Sequence, residues 1–100
     1  MTPTQIQALT LDLIRAMDDA TLKSLSPKQV RRMTSDQLNA MTGSQFSKLK
    51  PDAIGAIRPK VLAVVRRALL KSMTNRQIKA LSEDQVEELP PRLVDSLLNR

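Results

Sequence analysis

The chain has 100 residues, 41% of them apolar, with a single aromatic residue, Phe46, and neither cysteine nor histidine. This composition excludes disulfides, thiolate nucleophiles, imidazole bases and the usual zinc and haem ligand sets, and in so short a chain it limits the core to a modest one of Leu, Ile, Val, Met and Ala. The net charge of +6 is uneven: residues 23–79 carry thirteen basic side chains against Asp36 and Asp52 alone, whereas residues 1–22 and 80–100 sum to −2 and −3. A basic middle of this kind attracts nucleic acid, an anionic membrane or an acidic protein without choosing among them.

From Thr2 onward the chain divides into twelve consecutive units of eight residues. The fifth place of every unit is apolar, from Ile6 and Ile14 through Phe46 to Val94, and so is the eighth, from Leu9 and Met17 to Leu97. At 41% apolar content, a run of twenty-four apolar residues at twenty-four such places is not a chance outcome, and it marks an internal repeat. A continuous α-helix turns about 100° per residue, so eight residues bring the pattern back about 80° out of phase and smear it around the cylinder. A strand fails too, because the fifth and eighth places have opposite parity.

The helix starts follow in chain order. Thr2, Pro3 and Gln5 open the first with an N-cap, a proline at N1 and a glutamine at N3, the arrangement of a capping box. A segment from about Leu11 to Met17 follows, with Asp18 or Asp19 capping the next helix. Ser26 with Gln29, Thr34 with Gln37, and Thr42 with Gln45 repeat the box. Pro51 and Pro59 again mark N1, but Lys50, Arg58 and Arg66 stand at cap places they fill poorly, and 59–73 reads as one longer helix with Val61, Leu62, Val65, Leu69 and Leu70 inward. Thr74 with Gln77 and Ser82 with Gln85 restore the box, and Pro91 begins the last unit. Helices this short do not persist alone. The expected fold is therefore all-α: a superhelical solenoid of nine to twelve short helices over residues 1–100, forming one octad-repeat domain that is either whole or a segment of a longer protein. With Gly43 and Gly55 the only glycines, most turns must be made without a left-handed glycine.

Chemistry is sparse. Asp18 with Asp19 and Glu83 with Asp84 sit at helix starts, where free amides and the dipole account for them. No phosphate loop or metal-ligand spacing is present, so the expectation is a non-enzyme without cofactor. The opening residues show no basic and apolar leader, and no apolar run approaches a membrane span, which leaves the compartment undetermined. The candidate partner-binding surface is basic. It comprises Arg15, Lys23, Arg31, Lys71 and Lys79 at the sixth place, Lys50, Arg58 and Arg66 at the first, and Arg32, Lys48, Lys60 and Arg67 beside them. Stripes of such residues at a fixed rise suit a polyanion backbone, yet the exposed places lack aromatics for stacking on bases. The expected partner is another protein. Nucleic acid, an anionic membrane surface and self-association are the alternatives.

The units at 26–33, Ser-Pro-Lys-Gln-Val-Arg-Arg-Met, and at 82–91, Ser-Glu-Asp-Gln-Val-Glu-Glu-Leu-Pro-Pro, resemble the short-helix superhelical repeats of the mesothelin and stereocilin family. That resemblance implies an extracellular role in adhesion or matrix attachment and assigns no catalytic or binding residue. Units of the form Thr-Pro-x-Gln-Ile-x-Ala-Leu-Thr are similar to those of long bacterial repeat proteins, some of them exported. The chain differs from the animal family in its missing cysteines and its basic centre.

Overall fold

A computed structural model describes residues 2–99, and within them the chain forms twelve α-helices and no strand. In order these are α1 (Pro3–Gln7), α2 (Leu11–Arg15), α3 (Asp19–Ser24), α4 (Pro27–Arg31), α5 (Ser35–Asn39), α6 (Gly43–Ser47), α7 (Pro51–Gly55), α8 (Pro59–Ala63), α9 (Arg67–Lys71), α10 (Asn75–Lys79), α11 (Glu83–Glu88) and α12 (Pro91–Leu98). The helices start where the caps are. In eight of them a Ser, Thr or Asp side chain at N-cap accepts the N3 amide, and all six glutamine capping boxes read from the sequence are formed.

Each helix ends within about two turns because the next cap is already due. In α1 the C-cap residue Ala8 is still right-handed, at φ −85°, and Leu9 N donates to Ile6 O at 3.1 Å before the chain extends into Thr10, at φ −72° and ψ 160°. No described residue has positive φ, so the turns need no left-handed glycine, in line with the sequence. Gly55 serves another purpose. A Cβ there would stand 2.6 Å from Ala80 O, so only glycine lets α7 approach the end of α10 this closely.

Successive helices do not stack on one another. α1 packs on α4, α4 on α7 and α7 on α10, with α2 on α5, α6 on α9 and α8 on α11 in the neighbouring columns. Hydrogen bonds between turns reach one helix further, from α5 back to α1 and from α11 back to α7. A superhelical turn thus holds between three and four helices, and the molecule is elongated, 34 × 22 × 19 Å. The fifth and eighth places form the spine, and Ile6, Ile14, Leu22, Leu38, Phe46, Ile54 and Leu62 are wholly buried. Each such side chain contributes about 1.5–3 kcal/mol through burial, which is what holds together helices too short to stand alone. The spine opens at its ends, where Leu9, Met17, Val86 and Val94 are only half-buried.

The single longer helix expected over 59–73 is two helices, α8 and α9. Asn39, a turn away, separates them: its Oδ1 accepts Arg66 N at 2.7 Å and its Nδ2 donates to Val64 O at 3.2 Å, holding residues 64–66 out of helical geometry. The segment at Leu11 likewise ends at Arg15, and Asp18, not Asp19, caps α3, its Oδ1 accepting Thr21 N at 2.8 Å. Among the described residues no helix is long and apolar enough to cross a membrane.

Candidate partner-binding surface

The surface left for a partner is what remains after the fold has taken its share of polar groups. Gln37 shows how large that share is. Its Oε1 accepts Thr34 N at 3.0 Å, closing its own capping box, while its Nε2 points across the turn to Ile6 O, Gln7 O and Leu9 O at 2.9, 2.9 and 3.1 Å. Gln45 repeats this on Ile14, Arg15 and Met17. Gln77 donates to Phe46 O and Leu49 O, and Gln85 to Ile54 O and Ile57 O, at 2.7–2.9 Å. One amide side chain thus caps the start of its own helix and the end of the helix four units earlier. All four glutamines are buried, and no buried side-chain N or O among the described residues lacks a partner.

The first-place arginines do the second half of the same task. The Arg66 Nη2 donates to Asn39 O at 2.8 Å and Met41 O at 2.9 Å, and the Arg58 Nη2 donates to Met33 O at 3.3 Å. Neither caps its own helix, and Lys50 does not either. Arg58 and Arg66, read from the sequence as partner-binding, are therefore committed in part to joining one superhelical turn to the next.

The other basic candidates are spread around the molecule. Arg15 pairs with Asp12 at 3.2 Å, both exposed, and Lys48 is half-buried with Asp19 at 4.0 Å. Lys23, Arg31, Arg32, Lys50, Lys60, Arg67, Lys71 and Lys79 are exposed. Arg15, Lys23 and Arg31 lie on consecutive helices, which follow the superhelix around its axis. Their neighbours along the axis lie three and four helices away, where the sixth place holds Asn39, Ser47, Gly55 and Ala63. The Asp18 carboxyl is held below its ordinary value, chiefly by the Thr21 backbone N–H and then by the Thr21 hydroxyl.

Hollows occur at several places along the superhelix, including one of about 240 Å³ between Arg31, Gly55 and Ser82 and one of about 280 Å³ beside Val86 and Val94. Between α2, α5 and α9, hollows of about 510 and 230 Å³ adjoin and share Arg15, Asn39 and Ala40, with Leu11 and Asp36 at one end and Arg66, Ala68 and Gly43 at the other. A second cleft, also about 510 Å³, lies between α8 and α11, with Arg58 and Lys60 facing Asp84, Glu87 and Glu88. The sequence missed the groove because its walls come from α2, α5 and α9, which are far apart in the chain and lie at different places of the octad. Leu11, apolar at the second place of its unit and exposed in the fold, is a local sign of it.

Residues 14–51 match the ALTTAQ repeat. The match covers less than half of the chain and supports a short-helix repeat module in general, not the mesothelin and stereocilin family in particular. No curated protein and no solved structure matches the chain.

Proposed function

We propose that the chain is a non-catalytic helical-repeat scaffold that binds another protein through the groove between α2, α5 and α9. The observation that carries this reading is the groove itself, two adjoining hollows whose lining includes the small residues Ala40, Gly43 and Ala68, set in a superhelix whose buried side-chain N and O atoms, among the described residues, all have partners. A rigid frame presenting a long recess is what repeat architectures use to hold a partner segment. The carboxylates at the starts of α3 and α11 are accounted for by the helix ends they stand at, which is why the reading gives them no catalytic role.

The test is site-directed photo-cross-linking from Ala68 in an extract of the source cells, with the same probe at the exposed Lys23 as control. Discrete protein adducts from Ala68 and none from Lys23 are expected. Titration with a mixed-sequence duplex separates the alternative, because affinity that is tight at about 50 mM salt and collapses by about 200 mM would assign the basic surface to a polyanion instead.

A further inference from the structure

The acidic surface of α11 is only partly answered within one copy, where it lies across a cleft from Arg58 and Lys60 without forming an ion pair among the described residues. Helix α11 carries Glu83, Asp84, Glu87 and Glu88 within six residues, all exposed, and among the described residues none lies within ion-pair distance of a basic group. It packs on α8 and lines no part of the α2, α5 and α9 groove. That groove is walled by Arg15 on one side and Arg66 on the other, with Arg67 next in the chain. Arg66 spends its Nη2 on two carbonyls and leaves Nε and Nη1 without a partner among the described residues. Arg15 is held only by the exposed Asp12, and that kind of pair is easily exchanged.

We propose that the groove receives the acidic α11 of a second copy of this chain, with Glu87 and Glu88 meeting Arg15 and Arg66. This rests on the reading of the groove as a protein-binding surface and names its occupant. Because groove and α11 are different patches, the contact is heterologous. Each docked pair keeps one free groove and one free α11, so assembly is open-ended. The face of α11 turned to the partner is charged and the groove floor is small, so attraction is mainly electrostatic and is screened once the Debye length falls below the contact dimension.

Sedimentation of the full chain tests this. At about 50 mM salt the mean mass is expected to rise with concentration above the 11.2 kDa monomer, and at about 500 mM it is expected to return to it. Arg15→Glu and the double variant Glu87→Lys, Glu88→Lys are each expected to be monomeric at low salt. They alter only exposed side chains, and unchanged circular dichroism and melting confirm that each remains folded. Mixed in equal amounts, they are expected to form a dimer that grows no further, because the first supplies an intact α11 and the second an intact groove. A monomeric wild type at low salt up to about 1 mM protein, where even weak encounters populate, overturns the proposal. So does association that strengthens with added salt, which would point to contact through the exposed Leu13 and Leu98 instead. Either result leaves the cross-linking outcome at Ala68 untouched, so the two readings fail separately.

Discussion

Four of the helices with glutamine at N3 and two of those with a cation at N-cap close the same superhelical turn by different chemistry. In α5, α6, α10 and α11 a neutral, buried amide donates to carbonyls four units back while its oxygen caps its own helix. In α8 and α9 an exposed guanidinium reaches the equivalent carbonyls and the helix start goes without a side-chain cap. The glutamine serves two helix ends and can tolerate no charge. The arginine serves one end and remains open to solvent and salt. Stability should therefore be unevenly distributed along the chain, with the cationic segment the softer one.

The largest effect should come from putting a charge where the amide stands. Gln77→Glu keeps the oxygen that accepts Thr74 N but turns a carboxylate toward Phe46 O and Leu49 O, and a loss of about 3–5 kcal/mol is expected in chemical denaturation, recovered in part as the pH falls and the carboxyl is protonated. Gln77→Leu removes the donor without adding charge. Phe46 O keeps its bond from Leu49 N, so chiefly Leu49 O is orphaned, and the loss should be about 1–3 kcal/mol together with the lost capping box. Arg66→Ala should cost less, about 1 kcal/mol, because its carbonyls lie closer to water, and the difference from wild type should shrink in high salt. If the two substitutions at Gln77 cost no more than Arg66→Ala, the contrast between the two regions is wrong.

Two smaller changes sharpen the comparison from the other side. Lys50→Thr gives α7 the cap it lacks and should raise stability by about 1 kcal/mol, measured as an increase in denaturation midpoint. The reverse exchange, Thr42→Lys, removes the cap of α6 and should lower it. Asp18 supplies a pH dependence of known sign. Its carboxyl titrates lower in the folded chain than in the unfolded one, so its contribution is complete above the unfolded value of about 3.9 and is lost as the pH falls through the folded one. Asp18→Asn keeps a capping oxygen and should flatten this part of the acid unfolding curve, read by circular dichroism below about pH 4.

The octad made most of this fold legible. Caps at Thr2, Ser26 and Thr74, prolines at N1, and apolar fifth and eighth places give the helix starts and the spine directly, because these are interactions between residues three or four apart. What the sequence withheld is the pitch. Nothing local says that Gln37 must meet Ile6 or that Asn39 must meet Val64 and Arg66, since those pairings depend on how many helices fill a turn. The same ignorance led 59–73 to read as one helix, and it made a row of sixth-place cations look like a stripe along the axis. For the binding surface the sequence supplied the exposed bases one by one but not the groove, whose walls come from three separate turns.

The cross-turn bonds of the glutamines have one property that side-chain pairs lack. Their acceptors are main-chain carbonyls, which every unit possesses whatever its side chains, so the donor does not need a particular partner in order to find one. Gain or loss of a whole octad would shift each glutamine onto the corresponding carbonyls of a different unit and leave the bonding intact. The bonds of Asn39 and Arg66 likewise run to main-chain groups, whereas the approach of Gly55 to Ala80 O leaves no room for a Cβ and so demands a particular residue at a set separation. Gain or loss of a single octad is thus compatible with these bonds, and the stretch between Gly55 and Ala80 is where such a change would break a matched contact.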